Sequence, residues 1–369
     1  MKNAYKIIKE NLLDKKYPFL NIDNLKSEYK KEKNKLDFTF DNYIIIGIGG
    51  SSQGSKAVVS ALNKKNIFYF DHLSSKEIKR VLNLVNLEKT GFIFISKSGA
   101  TSEVLTLFDY IVEELKDKID FSKNFLAITE KNTAPLYALA DHLGVKIIEH
   151  DPEIGGRFSI FSHTGLIPIS LFNDDDVENF LEGSKEALDN FINDKYSLDN
   201  FSPKNSAAKK FELMQAGKKI NIMLFYGDEL FELGNWLKQL FAESLGKNGF
   251  GYLPIVSKMT QDQHSLLQLY LDGPRDKFFE IYAIHHNESD NFIDITLTNH
   301  RDAMVKTLES EKLPIVKIYN FVADSDKSMS AQLGNIFANS VLEVLILAEL
   351  GGVDPFGQDA VEKQKVFLK

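Results

Sequence analysis

The sequence predicts an α/β protein with two doubly wound, mainly parallel sheets flanked by helices and a helical C-terminal tail. Three observations carry that prediction. Short β-branched and aromatic runs alternate with helix-length stretches in two separate parts of the chain, the pattern of βαβ units whose strands are buried on both faces. A length of 369 residues exceeds one ordinary core and suits two domains of about 100–200 residues each. Glycine- and hydroxyl-rich segments stand directly after some of the strand runs, where a parallel sheet presents the N-termini of its helices.

Residues 1–35 set Ile7, Ile8, Leu12 and Leu13 at helical spacing among lysines, which predicts a helical arm packed on the first domain. Residues 36–177 form that domain. Runs at 43–48, 66–70, 91–95, 124–128 and 145–148 read as buried strands. Residues 102–116 read as a helix, with Val104, Leu105, Phe108, Ile111, Val112 and Leu115 on one side. The acidic run Asn173-Asp174-Asp175-Asp176 suits a helix N-terminus, where short polar side chains cap free amides and negative charge meets the dipole. A second domain, 178–327, carries strand runs at 220–226, 251–257, 278–284 and 313–318. Residues 328–369 are a C-terminal helix and tail that complete the site; the helix keeps Leu333, Ile336, Phe337, Val341, Val344, Leu345 and Ala348 on its apolar side and ends at Gly351.

A net charge of −8, with 43% hydrophobic and 26% charged residues, describes a soluble globular chain and argues against nucleic acid or an anionic membrane as partner. The cysteine count is zero, which excludes disulfides, thiolate metal sites and a cysteine nucleophile. The N-terminus, Met1-Lys2-Asn3-Ala4-Tyr5-Lys6, has no apolar signal core. The apolar stretch 332–350 is interrupted by Asn335, Asn339 and Glu343, short of the roughly 18 unbroken apolar residues of a membrane span. A cytoplasmic protein is expected.

Five segments carry chemistry. Gly47-Ile48-Gly49-Gly50-Ser51 follows a strand run and precedes a helix, so backbone amides there can approach an anion or sugar hydroxyls. A dinucleotide site is disfavoured: Asp71 ends the next strand, but the third glycine of the fingerprint falls on Ser52. Ser96-Lys97-Ser98-Gly99-Ala100-Thr101 holds the same position after another strand and offers three hydroxyls and an ammonium to a dianion. It lacks the Walker glycine spacing, so the phosphate belongs to a small ester. Arg157, after Gly155 and Gly156, supplies a fixed cation unless it is only a structural ion pair. Glu243 lies one helical turn after Gln239, and Asp262-Gln263-His264-Ser265 follows, so a carboxylate and an imidazole flank one turn-and-strand unit. Taken singly, Glu243 and His264 are ordinary surface residues. The pair His285-His286, without clustered acids, reads as surface and not as a metal site.

Together the segments 47–51, 96–103, 155–159, 239–247, 261–268 and 351–365, including Gly351-Gly352-Val353-Asp354-Pro355-Phe356, resemble the glucose-6-phosphate isomerase family, in order and over almost the whole chain. The first two alone would resemble only the sugar isomerase (SIS) domain shared with amino-sugar enzymes and sugar-phosphate-sensing regulators. The resemblance implies two SIS-type domains and the glycolytic and gluconeogenic interconversion of glucose 6-phosphate and fructose 6-phosphate through a cis-enediol, without metal or organic cofactor. It implies Glu243 as the base that moves the proton between C2 and C1, and His264 with Lys365 as the ring-opening groups. Arg157 would stabilise the enediolate, and Ser51, Ser96, Lys97, Ser98, Thr101, Gln239 and Gln358 would bind substrate. Ala100 stands where the family's phosphate loop commonly has a hydroxyl, leaving Ser98 and Thr101. The histidine comes from the neighbouring subunit in this family, so a homodimer with shared active sites is implied. An isomerase that also accepts mannose 6-phosphate and a non-catalytic SIS-domain sensor remain alternatives; a sensor has no need of Glu243, His264 and Lys365.

Overall fold

A computed structural model describes residues 2–196, 202–286, 289–323, 325–361, 363 and 367. The chain divides into two compact units, Tyr17–Glu178 and Met1–Lys16 with Asn179–Lys369.

The first unit is built on five parallel strands, β1 (Asn42–Ile46), β2 (Ile67–Phe70), β3 (Thr90–Ile95), β4 (Phe125–Thr129) and β5 (Lys146–Glu149), in the order β2-β1-β3-β4-β5. All residues of β3 and β4 are buried. A strand covered on both faces needs apolar side chains on both, which is why these runs show no alternation in the sequence. On one face, Ile44, Ile46, Phe92, Phe94 and Phe125 pack with Phe108 of the helix Ser102–Leu115; the rings of Phe94 and Phe108 meet edge-on at 4.7 Å.

The second unit has four parallel strands, β6 (Ile220–Tyr226), β7 (Leu253–Met259), β8 (Lys277–His285) and β9 (Ile315–Val322), in the order β7-β6-β8-β9. Counted within each unit, the first four strands follow the same order, second-first-third-fourth. The helix Met329–Gly351 begins at Ser328, whose hydroxyl accepts the Ala331 amide at 3.2 Å. It ends at Gly351, as expected, and Gly352 just beyond takes the left-handed conformation (φ 63°) that closes a helix. With a mean hydropathy of 1.5 this helix passes as a membrane span by length and composition, yet 83% of that window is buried in the protein. It is the unit's core helix.

The N-terminal arm is divided. Helix Lys2–Leu13 packs on Met329–Gly351 in the second unit, burying Ala4 and Ile8, and Tyr5 OH donates to Phe191 O at 2.7 Å. Helix Ile22–Lys33 stays with the first unit, held by Lys30 to Glu178 (2.7 Å) and Lys33 to Asp174 (3.0 Å). The acidic run at 173–176 starts the helix Asp175–Ile192, with the Asn173 side chain accepting the Asp175 amide at 3.2 Å.

Behind the second sheet lies a buried ion cluster. Lys210 Nζ sits 2.7 Å from both Glu280 and Glu343, and Lys317 Nζ lies 3.2 and 3.0 Å from the same carboxylates. Burial alone would raise the Glu280 pKa, but the two ammoniums and a hydrogen bond from Asn221 outweigh it and hold the group down at about 2.

Candidate functional site

In the first sheet the chain passes from β1 to β2 on one side and from β3 to β4 on the other, so the carboxyl ends of β1 and β3 flank a topological switch point, where open parallel sheets bind ligands. The glycine segment leaves β1 here. Residues Gly49–Ser51 make one tight turn, with Gly49 at φ 57°, before the helix Gln53–Ala61. The hydroxyl-rich segment leaves β3 beside it. The Gly99 amide donates to Ser96 O at 3.1 Å and Gly99 adopts φ 68°. The buried Ser96 hydroxyl lies 2.9 Å from Thr101 Oγ1. Because that bond holds the Thr101 hydroxyl inward, the helix Ser102–Leu115 begins without a side-chain cap on its first amides. Ser98 is exposed and accepts the Ala100 amide at 3.3 Å.

Lys97 is placed differently from the other residues of the loop. Its ammonium donates to Pro152 O at 2.7 Å and lies 3.8 Å from the Glu130 carboxylate. The structure thus turns this cation toward the loops after β4 and β5.

Arg157 reaches the switch point through backbone contact. A Cβ on Gly50 would overlap the Gly156 carbonyl, and Ser159 Oγ donates to Gly50 O at 2.9 Å and Gly156 O at 2.7 Å. Only glycine lets two main chains approach this closely. Arg157 is 2% exposed, and its guanidinium sits 5.3 Å from the Phe158 ring. Ser159, not singled out from sequence, is what ties the two glycine segments together.

In the second unit the helix Phe231–Leu245 carries Gln239 and Glu243, and Gln239 Nε2 donates to Glu243 Oε1 at 2.9 Å. Gln239 Oε1 is buried with no hydrogen-bond partner among the described residues, an acceptor suited to a ligand hydroxyl. Glu243 is half-buried and lines a cavity of about 590 Å³ with Lys247, Asp354, Gly357 and Gln358. The structure therefore joins Gln358 to Glu243 across a long sequence gap. His264 is exposed on the short helix Gln261–Ser265 and is not among the described residues lining that cavity. Asp262 fixes its helix: the carboxylate accepts Ser257 Oγ and the Lys258 amide, each at 2.9 Å, and Ser265 Oγ at 2.8 Å. Lys365 lies outside the described residues. His286 sits 3.8 Å from Asp294, and no grouping of three or more metal-ligating side chains occurs among the described residues.

The phosphoglucose isomerase family model matches residues 26–303. The chain belongs to that family. It is 32% identical to a probable glucose-6-phosphate isomerase of Methanococcus maripaludis over 97% of this chain and 85% of that protein. In fold it is similar to a hypothetical protein of Thermus thermophilus, with a TM-score of 0.83 at 24% identity over 100% of this chain and 94% of that one. It is also similar to a glucose-6-phosphate isomerase of Chlamydia trachomatis, with a TM-score of 0.75 at 20% identity over 93% of this chain and 72% of that one. Of the site segments of this phosphoglucose isomerase family member, only the one holding Gln358 and Lys365 lies beyond the matched span.

Proposed function

We propose that this phosphoglucose isomerase family member interconverts glucose 6-phosphate and fructose 6-phosphate through a cis-enediol. The backbone contact of Gly50 with Gly156 supports the reading, because it brings the main chain of Arg157, a buried arginine, beside the glycine turn. Ser51, Ser96, Ser98 and Thr101, with the uncapped amides of the helix Ser102–Leu115, are assigned to the phosphate. Lys97 contributes its main chain and a general positive field, since its ammonium is engaged with Pro152 O. Anchoring the unreactive phosphate helps orient C1 and C2.

Ring opening moves a proton from the anomeric hydroxyl to the ring oxygen, and His264 with Lys365 is assigned to that step. The Glu243 carboxylate then takes the C2 proton. The C–H electron pair becomes the C1–C2 double bond, and the carbonyl oxygen carries the negative charge, which Arg157 stabilises. A proton shifts from the C2 hydroxyl to the C1 oxygen, and Glu243 returns its proton to C1 as the C2 oxygen becomes the new carbonyl. Gln239 orients Glu243 through their hydrogen bond, and Gln358 binds sugar hydroxyls in the same cavity. His264 stands on an exposed helix outside the Glu243 cavity, which favours a homodimer in which each histidine serves the partner's site. A chain without cysteine suits the cytoplasm.

The test is a coupled assay of fructose 6-phosphate conversion on wild type and Glu243→Gln. Wild-type turnover that falls about a thousandfold or more in a folded variant is expected; sugar-phosphate binding without wild-type turnover would replace the isomerase with a sensor. For the dimer, inactive Glu243→Gln and His264→Asn chains are unfolded and refolded together. Sharing across the two-fold axis restores one intact site per mixed dimer, about a quarter of wild-type activity. Histidines acting within their own chain restore none.

A further inference from the structure

The end of the Glu243 helix and the end of the core helix meet. After Leu245 the chain turns through Lys247, Asn248 (φ 52°) and Gly249 (φ 75°), and the Phe250 amide donates back to Lys247 O at 2.8 Å. Phe250 packs on Gly351 so closely that a Cβ there would overlap its ring. From Gly352 the chain leaves as an irregular strap. Lys247 Nζ donates to the Asp354 carbonyl, and the Asp354 carboxylate accepts the amides of Phe356 (3.0 Å) and Gly357 (3.1 Å). The next residue, Gln358, lines the Glu243 cavity.

We propose that Lys247 and Asp354 are positioning residues: together they anchor the strap 353–358 to the turn after the Glu243 helix and thereby set Gln358 against Glu243. The physical argument is one of fixed ends. An irregular segment has no ladder of its own to hold it, so its placement rests on side-chain bonds. A lysine on a short turn, gripping a carbonyl whose own residue closes the following turn, converts a loose strap into a defined wall. The catalytic consequence rests on the isomerase reading of Glu243; the anchoring does not.

Lys247→Met and Lys247→Arg are compared with wild type by hydrogen exchange at the Phe356 and Gly357 amides, by kcat and KM for fructose 6-phosphate, and by competitive inhibition with inorganic phosphate, whose assigned site lies in the other unit. Exchange in Lys247→Met is expected to rise about tenfold. Its kcat is expected to fall about tenfold with phosphate inhibition unchanged, and Lys247→Arg is expected to recover most of both. Unchanged amide exchange in Lys247→Met overturns the anchor. Faster exchange with unchanged kcat overturns its part in catalysis, and a parallel loss of phosphate inhibition and Tm shows a general structural defect instead. An inactive wild type would remove the isomerase reading, while the exchange result would still decide the anchor.

Discussion

The two sheets share a strand order and hold their functional groups by opposite means. In the first unit, β1, β3 and β4 are surrounded by apolar side chains, and the site groups stand on turns at strand ends. Short-range contacts at the strand ends fix them: main chain against main chain where Gly50 meets Gly156, and a side-chain hydroxyl pair, Ser96 with Thr101, across one loop. In the second unit Glu243 stands on a helix, and the back of that helix meets the ion cluster: Phe241, two residues away and so on the opposite side, lies 3.9 Å below the Lys210 ammonium. A turn is set by its own backbone, whereas a helix can rotate or slide unless its back is fixed. Side chains held by packing on many elements serve that purpose.

The largest effect should come from breaking the ion cluster. Lys210→Met leaves two fully buried carboxylates facing one lysine, and urea denaturation is expected to show a loss of about 3–5 kcal/mol. Adding Glu280→Gln should restore a good part of it. A stable single variant would mean that the cluster is not what holds this face. In the first unit, Gly50→Ala drives a methyl into the Gly156 carbonyl and should cost about 1–3 kcal/mol with a raised KM. Gly156→Ala is the control, because its methyl would meet Gly50 Cα only at 3.7 Å, an ordinary contact; equal damage from both would refute backbone contact as the cause.

Two smaller changes sharpen the contrast. Ser96→Ala removes the partner of Thr101 Oγ1 and should weaken sugar-phosphate binding by about 1 kcal/mol, read as KM, with little change in Tm. The smallest effect concerns pH. Burial pushes the His150 imidazole below its ordinary range, while its nitrogens engage Ile154 O and Thr164 Oγ1 at 3.1 Å. Below about pH 6.5 the unfolded chain takes up a proton that the folded state resists, so stability is lost as pH falls. Tm should therefore fall between pH 7.5 and 5.5, and with a shallower slope in His150→Gln; equal slopes would rule out the imidazole. Glu280, held at about 2, should contribute nothing to that window.

Strand placement was legible because buried parallel strands are uniformly apolar: the expected run 220–226 coincides with β6, and the runs of the first domain fall within a few residues of β1 to β5. The arm was less legible. Its first helix carries an apolar stripe that fits any apolar surface, and nothing in Ala4 and Ile8 specifies the helix Met329–Gly351 as partner. The ion cluster was invisible, since Lys210, Glu280, Lys317 and Glu343 are scattered charges in sequence and become a cluster only when four elements converge. The direction of Lys97 was hidden for a similar reason: composition placed a lysine in the loop, but Pro152 O, from after β5, decided where its ammonium points.

Residue types at fixed positions were determined by the sequence itself: glycines where main chains must touch, hydroxyls before a helix, a carboxylate one turn from an amide. Local rules of backbone freedom, capping and helical spacing are enough to read these. Which distant segments meet was decided by tertiary structure alone. The contact of Gly50 with Gly156, the cavity that joins Glu243 to Gln358, and the lysine that grips Asp354 all arise from packing between parts of the chain far apart in sequence. No local preference encodes such partners, because the free energy that selects them is gained only when whole elements are buried against one another.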